Sequence, residues 1–276
     1  MSAVLVARLI EELASMRRVA IGSTFALLLL AGCASQGDLE EGAVYDPIEP
    51  ANRLVFAMND AVDTMVLQPT AYVYKEVVPS AIREVVRNFL DWLSSPVYIA
   101  NSALQGDLEG LKHNASRFIA NAPMFGMVDN ATGLGLERRP EDFGQTLAVW
   151  GADEGPYIVL PILGPSNLRD TVGLVADNFL DPVNYIGNED ERTRYQIARR
   201  VVGAVSFRAD NFDQINDLKA TSVDYYARVR TIYQQRREAL VRNNTPPGVG
   251  GTSSGEFEEY RPANTPIEQS GQRAAD

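Results

Sequence analysis

Apolar residues recur at the spacing of an α-helix along most of this chain, and that period restricts its possible folds more than any single motif does. One stretch places apolar side chains at positions i, i+3, i+4, i+7, i+8 and i+11, so that they share one helix face. They are Ile82, Val85, Val86, Phe89, Leu90 and Leu93. Pro79 is suited to the start of this helix, and Ser94-Ser95-Pro96 predicts its end.

Further helical stripes follow. The second covers residues 108–119, and Asp107 is placed to cap its N-terminus. A long helical segment is predicted over residues 189–241, with a break near Asn211. Between these two lies a third stripe, made of Leu168, Val172, Val175 and Phe179.

Two short segments, residues 146–149 and 157–160, alternate as strands do. Residues 151–155 between them contain Gly151 and Gly155, which suit a turn. The pattern predicts one small β-hairpin in a mainly α fold.

The N-terminal segment resembles an export leader that ends in a lipid-modified cysteine. After Met16, two arginines precede an apolar run over residues 19–31, which is shorter than the roughly 20 residues of a membrane-spanning helix. The run ends in Leu30-Ala31-Gly32-Cys33, with small residues directly before the cysteine. This order predicts cleavage before Cys33 and lipid on its sulfur, with translation starting at Met1 or Met16. The alternative is an ordinary buried cysteine beside a hydrophobic helix.

Composition divides the rest of the chain into a lipidated tether (33–44), a helical domain (45–243) and a tail (244–276). The tail is rich in Gly, Pro, Ser and Glu and too poor in apolar side chains to offset the entropy of ordering, so we expect disorder. Removal of residues 1–32, which carry three arginines and two glutamates, changes the net charge from −11 to −12. An acidic body argues against nucleic acid or an anionic membrane surface as its partner.

Few residues suit catalysis. The single cysteine is assigned to lipid, so no disulfide and no thiolate metal site are predicted. His113, the single histidine, lies on a predicted helix, where a solvated position is the simpler interpretation. Glu141-Asp142 and Asp153-Glu154 fall in predicted loops and are expected to solvate turns. The sequence therefore predicts no enzyme, no metal and no cofactor.

Aromatic side chains on the apolar stripes allow two interpretations. They belong either to a helical core or to helices that lie flat in a membrane leaflet, with aromatic rings at the level of the headgroups. Periodicity does not separate the two, because lipid and core both favour an apolar face. The residues concerned are Phe56, Tyr72, Tyr74, Phe89, Trp92, Tyr98 and Phe118.

Several ordered blocks resemble the MlaA/VacJ family of outer-membrane lipoproteins. The body opens with Asp46-Pro47-Ile48-Glu49-Pro50-Ala51-Asn52-Arg53, which is similar to that family's opening motif. The most specific block, GADEGPYIVLPILGPSNLRD over residues 151–170, contains Pro161, Gly164, Arg169 and Asp170 at the family's positions. One departure is the stretch 122–128, which is shorter and poorer in glycine than the family's.

The resemblance implies a compact, ring-like helical body in the inner leaflet of the outer membrane, and Ala34 after the cysteine favours sorting there. It also implies a trimeric porin as partner, removal of stray phospholipids from the outer leaflet through an amphipathic channel, and their transfer to a periplasmic lipid-carrier protein. Two alternatives stay open: a porin-associated scaffold that moves no lipid, and a lipid hydrolase that uses His113.

Candidate site residues follow from these blocks. The predicted hairpin, with Gly151, Asp153, Glu154, Gly155, Pro156 and Tyr157, is a candidate movable element near a channel, or else a static turn. Arg169 and Asp170 open the next helix, where they either pair locally or contact a phosphate; local pairing is favoured.

Overall fold

The computed structural model describes residues 44–242. The predicted leader, Cys33, the tether as far as residue 43 and the predicted tail lie outside these residues. Within them, the predicted mainly α fold with one small hairpin is confirmed. No helix of the described part is both long enough and apolar enough to cross a membrane.

The first helical segment has three consecutive parts: α1 (Glu49–Val62), a π-helical turn (Asp63–Leu67) and α2 (Gln68–Val77). In the π turn, the backbone N–H of Gln68 donates to the carbonyl of Asp63 five residues earlier. Pro69 follows directly, and in a regular α-helix its ring would clash with the carbonyl four residues before it. The wider turn lets the helix continue through Pro69.

The next helix, α3 (Ser80–Leu104), is longer than predicted, because it continues through Pro96. The expectation that Ser94-Ser95-Pro96 ends it was therefore wrong. Both serine hydroxyls turn back onto helix carbonyls, Ser94 onto Leu90 (3.0 Å) and Ser95 onto Asp91 (3.3 Å), so these polar residues are satisfied inside the helix. The capping prediction for α4 (Leu108–Asn121) is confirmed, since the side chain of Asp107 accepts from the N–H of Gly110.

The hairpin lies further along the chain than predicted. Residues 146–149 belong to a helix, α6 (Phe143–Val149), which follows the short α5 (Asn130–Gly133). Asp142 caps α6 by accepting from the N–H of Gln145, and this cap favours a helix over the short alternation read as a strand. The hairpin is β1 (Tyr157–Leu160) with β2 (Gly164–Asn167), antiparallel, with Tyr157 opposite Asn167 and Leu160 opposite Gly164.

The remaining helices are α7 (Leu168–Leu180), α8 (Glu189–Asp210), α9 (Phe212–Thr221) and α10 (Tyr225–Val241). The predicted break at Asn211 is confirmed, and a second break lies at residues 222–224. Helix α6 packs on α7, and α10 packs on α6 and β2. The crossing of α6 and α7 is close: a Cβ atom on Gly173 would lie 2.5 Å from the backbone nitrogen of Gly144. A small apolar cluster lies beside the hairpin, made of Tyr157, Val159 and Tyr226.

Candidate functional site

The distribution of polar and apolar side chains in residues 44–242 is the reverse of that in most water-soluble domains. Buried polar residues include six asparagines and three arginines, whereas large apolar side chains are exposed on most helices. The buried apolar residues are Ala71, Val97, Ala131, Tyr157, Val159, Ala209 and Tyr226. Large exposed apolar areas mark contacts with lipid or protein, so part of this surface is suited to surroundings other than water.

One exposed apolar face runs along α1, the π turn and α2. Its side chains recur at helical spacing and are between 45% and 74% exposed. They are Leu54, Met58, Met65, Val66, Val73 and Val77.

A second exposed apolar face lies on α7. The predicted stripe of Leu168, Val172, Val175 and Phe179 is confirmed as helical, and its members are 49% to 66% exposed. For this helix the stripe is surface rather than core. Two of the aromatics named from the sequence pack on each other instead: Trp92 stacks on Phe118 with ring centroids 5.2 Å apart.

Hydrogen bonds between polar side chains join α3, α6 and α7. Asn101 on α3 donates from Nδ2 to Oδ1 of Asp177 on α7 (2.8 Å), and Thr146 on α6 donates to Oδ1 of Asn101 (2.8 Å). Asp177 also accepts from the backbone N–H of Phe143 at 3.1 Å. Burial raises the pKa of the Asp177 carboxyl to about 6, although its hydrogen bonds with Asn101 and Phe143 lower it.

Glu141, which was expected to solvate a turn, belongs to this polar interior, so that expectation was wrong; Asp142, whose side chain is 36% exposed, caps α6 beside it. The Glu141 side chain is 1% exposed and accepts from Nε2 of Gln105 at 3.0 Å, and burial raises its pKa. Asp142 accepts two bonds from Arg237 on α10, at 2.5 and 2.6 Å. Burial opposes ionisation of Asp142, yet the hydrogen bonds and charge of Arg237 lower its pKa overall. The sequence did not reveal that an arginine about 95 positions later would reach this loop.

The residues of the N-terminal motif meet α1, β1 and α10. Asp46 accepts from Nδ2 of Asn52 (2.8 Å) and from Arg230 (2.8 Å), and the Asp46 side chain is 1% exposed. Arg53 makes a two-bond contact with Asp224, at 2.6 and 3.2 Å. Pro47 is exposed in the turn that leads into α1.

Two asparagines on α1 bind the free edge of the hairpin. Asn52 donates to the carbonyl of Tyr157 and accepts from the N–H of Val159, both at 2.9 Å. Asn59, two helical turns later, donates to the carbonyl of Leu160 (2.9 Å) and accepts from the N–H of Ile162 (2.7 Å). Each amide therefore satisfies one backbone N–H and one carbonyl of β1 or of the turn that follows it, so the edge of β1 away from β2 is also hydrogen-bonded.

Most of the residues expected to form a movable hairpin lie between α6 and β1, so the hairpin predicted from strands 146–149 and 157–160 was wrong in position. Gly151, Asp153, Glu154, Gly155 and Pro156 precede the strand, and Tyr157 is the first residue of β1. Gly151 (φ +90°) and Gly155 (φ +68°) adopt the left-handed backbone that glycine permits.

This connection is held to α7 and α10. The carbonyl of Glu154 accepts from the N–H of Arg169, and that of Pro156 from the N–H of Leu168, both at 3.1 Å. The Glu154 carboxylate accepts from Nε2 of Gln234 at 2.8 Å. At the hairpin itself, Pro161 follows β1 and Gly164 begins β2 with φ +87°. A role for these residues in moving lipid stays a prediction.

Arg169 and Asp170 pair locally, with Nε and Oδ1 at 3.3 Å. Asp170 also accepts from the hydroxyl of Tyr233 at 2.5 Å and lies 2.6 Å from Nε of Arg237. It therefore joins α7 to α10.

Sequence reasoning missed four residues on the last helix. Tyr226 and Arg230 both contact Oδ2 of Asp46, and Tyr233 and Arg237 both contact Oδ2 of Asp170. We call the first set (Asp46, Tyr226, Arg230) the N-terminal cluster and the second (Asp170, Tyr233, Arg237) the cavity cluster. The signal that could have found them is a tyrosine followed by an arginine four positions later, repeated after seven residues.

Within the described residues, His113 has one recorded side-chain hydrogen-bond contact. Nε2 of His113 lies 2.7 Å from the carbonyl of Glu137, at the surface. Across the described range 44–242, no group of three or more His, Cys, Asp or Glu residues is placed to hold a metal ion.

A cavity of about 290 Å³ opens beside the cavity cluster. Residues of β2, α7 and α10, with the cap residue of α6, form its walls, and it has both charged and apolar parts. Its lining includes Asp142, Asp170, Leu174, Asp177, Arg236 and Leu240.

Comparison with known proteins places this arrangement among bacterial lipoproteins. Residues 44–240 match the family model described as MlaA lipoprotein. A relative from Escherichia coli (strain K12), the intermembrane phospholipid transport system lipoprotein MlaA, is 33% identical over 230 residues, covering 80% of this chain and 86% of the relative. An uncharacterized protein from Rickettsia bellii is 32% identical over 202 residues, or 72% of this chain and 78% of its own.

One solved structure, described as the structural basis for maintenance of bacterial outer membrane lipid asymmetry, has a similar fold. The TM-score is 0.63 at 31% sequence identity, and the match covers 71% of this chain and 98% of that one.

Proposed function

This chain belongs to the MlaA lipoprotein family, and from that premise we propose that it is an outer-membrane lipoprotein that removes mislocalised phospholipids from the outer leaflet. It passes them to a periplasmic lipid-carrier protein and so maintains the lipid asymmetry of the outer membrane. The function requires no bond cleavage, so the protein is not an enzyme.

The observation that carries this proposal is the reversed distribution of side chains. The apolar faces on α1–α2 and α7 are suited to contact with acyl chains, and the buried asparagines and arginines keep polar groups inside the body. A protein that lies within one leaflet needs an apolar outer surface without a membrane-spanning helix.

The physical task explains why a polar interior is useful. Moving a phospholipid between leaflets takes a charged headgroup through hydrocarbon, which costs several kcal/mol or more without compensating contacts. An amphipathic channel, with one polar and one apolar wall, lowers this cost without covalent chemistry. Lipid on Cys33 holds the body at the periplasmic leaflet, and a trimeric porin serves as its partner there.

Deletion of the gene tests the function directly. We expect phospholipid to accumulate in the outer leaflet of the cells, measured by its accessibility to an added phospholipase, and to return to the original level on complementation. An unchanged outer leaflet in the deletion strain would contradict the proposal. A body purified without bound phospholipid, together with normal porin binding, would favour a scaffold instead.

A matched pair of substitutions tests the contribution of the apolar surface. Val175→Asp places a charge on the α7 face, whereas Val223→Asp places the same charge on a fully exposed residue between α9 and α10. We expect Val175→Asp to reduce complementation and Val223→Asp to complement fully. Replacement of His113 with alanine should also complement fully, and a loss of function there would support the hydrolase alternative.

A further inference from the structure

The cavity beside α7 and α10 contains charges that the surrounding protein does not neutralise equally. Arg237 has carboxylate partners, because it pairs with both Asp142 and Asp170. Arg236, the next residue, also lines the cavity, and its guanidinium group makes no hydrogen bond or ion pair with any residue from 44 to 242. Arg236 is exposed at the edge of the cavity; partial desolvation there and the neighbouring charge of Arg237 lower its pKa.

A carboxylate lines the same cavity. Asp177 accepts hydrogen bonds from Asn101 and from the backbone of Phe143, but no arginine or lysine of the described chain lies within ion-pair distance of it. With a pKa of about 6 it is largely ionised at neutral pH. The cavity therefore has a cation on one helix and an anion on another, each without an ion-pair partner.

The apolar part of the lining indicates what else the ligand carries. Leu240 on α10 and Leu174 on α7 line the cavity, and Leu174 is 50% exposed on the helix that carries the α7 apolar face. A volume of about 290 Å³ is small for a whole lipid but suits a headgroup, since small-molecule pockets begin at roughly 300 Å³. Acyl chains would leave the cavity over the apolar helix surface.

We propose that this cavity binds the headgroup of a zwitterionic phospholipid, with its phosphate at Arg236, its ammonium group at Asp177 and its chains passing Leu174. This rests on the proposed function and deepens it, because it names the class of lipid and the residues that recognise it. Arginine is suited to a phosphate, to which it can donate two parallel hydrogen bonds.

The same lining disfavours two related ligands. A phospholipid with a net negative charge lacks the ammonium group and brings its charge towards three aspartates, Asp142, Asp170 and Asp177. Inorganic phosphate shares the chemistry that Arg236 recognises but has neither the ammonium group nor the chains. Both should bind more weakly than the zwitterionic lipid.

The test is calorimetric titration of the purified full-length protein in detergent. The probes are dihexanoyl phosphatidylethanolamine, dihexanoyl phosphatidylglycerol, glycerophosphoethanolamine and inorganic phosphate. We expect the ethanolamine lipid to bind most tightly, the chainless headgroup more weakly, and inorganic phosphate most weakly. Equal affinity for inorganic phosphate and the lipid would overturn the proposal in favour of a simple anion site.

Substitutions test whether Arg236 binds the phosphate and Asp177 the ammonium group. Arg236→Gln should weaken binding of the ethanolamine lipid about tenfold, whereas Arg228→Gln, which removes the same charge two helical turns away on α10, should change it less than about twofold. Asp177→Asn should bring the affinities for the ethanolamine and glycerol lipids close together. Equal losses in the Arg236 and Arg228 variants, or an unchanged lipid preference in Asp177→Asn, would refute the assignment.

Two controls keep the result interpretable. Circular dichroism melting shows whether each variant is folded, and Arg236→Lys, which keeps the charge, should recover part of the lost affinity. The deletion strain separates this proposal from the proposed function. If the strain accumulates surface phospholipid while Arg236→Gln binds and complements normally, the function stands and the headgroup site is refuted.

Discussion

The N-terminal cluster and the cavity cluster use the same three residue types on the same helix, but their surroundings differ. Seven residues separate Tyr226 from Tyr233, and Arg230 from Arg237, so each pair lies on one face of α10 two turns apart. In both clusters the tyrosine and the arginine converge on one oxygen of an aspartate. Both tyrosine rings also pack edge-on against the buried Tyr157, with centroids 6.1 and 5.8 Å away.

The aspartates differ in what else they meet. Asp46 has a third donor, Asn52, and is enclosed by protein, so the N-terminal cluster ties the start of the body to its last helix. Asp170 lines the cavity and shares Arg237 with Asp142. The N-terminal cluster therefore joins the start of the body to its last helix, whereas in the cavity cluster two carboxylates on a cavity wall share Arg237.

The two clusters should differ most in the loss of stability that follows when the arginine of each is removed. Arg237→Met leaves Asp142 without a cationic partner and Asp170 with Arg169 alone, and should lower the free energy of unfolding by about 3 kcal/mol. Arg230→Met should cost about 2 kcal/mol, because Asp46 keeps Asn52 and Tyr226, and Glu49 keeps Arg53. Chemical denaturation monitored by circular dichroism measures both. Equal costs would mean that the clusters are equivalent.

The cavity cluster also depends on the glycine crossing next to it. Gly173→Ala places a methyl group 2.5 Å from the backbone nitrogen of Gly144, where no side chain can rotate away, and should cost about 3 kcal/mol. Gly203→Ala on α8 is the control: its nearest neighbour would be a side-chain atom of Leu90 at 3.9 Å, so alanine should be neutral or stabilise by about 0.5 kcal/mol. If Gly173→Ala were as well tolerated, α6 and α7 would not be held at this distance.

The local elements could be predicted from the sequence, but the contacts between distant elements could not. The α7 stripe, the Asp107 cap and the break at Asn211 depend on neighbouring residues, and all three are confirmed. The hairpin was predicted too close to the N-terminus, because an alternation over four residues carries little information. The Asp142 cap favours a helix at residues 143–149 instead.

The motif residues were identified by resemblance, but their partners on α10 were missed. Tyr226 and Arg230 lie about 180 positions from Asp46, and no local rule connects them. The spacing of apolar residues predicted the helices but not whether each stripe faces the core or lipid, because both surroundings favour the same pattern. That direction is what the buried asparagines and the exposed α7 residues supply.

The pH dependence of stability should have opposite signs on the two sides of the molecule. The pKa of Asp177 rises from 3.8 to about 6 through burial, so its folded form holds the proton more tightly. That contribution is fully present below about pH 4 and is lost as the pH rises through 6. Asp177→Asn stays neutral, so its stability relative to the wild type should rise by about 2 kcal/mol between pH 4 and 7, a value that allows for solvent screening.

Asp224, which pairs with Arg53 beside the N-terminal cluster, is the control of opposite sign. Hydrogen bonds from Arg53 lower its pKa to about 2, so its contribution is present above about pH 4 and is lost as the pH falls through 2. The stability of Asp224→Asn relative to the wild type should therefore rise only below pH 4. Denaturation curves from pH 2 to 7 measure both differences. If the stability difference between Asp177→Asn and the wild type stayed constant from pH 4 to 7, the raised pKa of Asp177 would be contradicted.

The smallest effect, and the finest test of the comparison, is removal of each tyrosine hydroxyl. Tyr226→Phe takes a donor from an enclosed carboxylate, where nothing replaces it, and should cost about 2 kcal/mol. Tyr233→Phe takes the equivalent donor from Asp170, but water in the cavity can hydrogen-bond that oxygen, so the cost should be about 1 kcal/mol. Both changes leave the rings against Tyr157, so packing is matched. Chemical denaturation measures both losses of stability. If Tyr233→Phe lost as much stability as Tyr226→Phe, or more, the cavity would be closed to water and could not admit a headgroup.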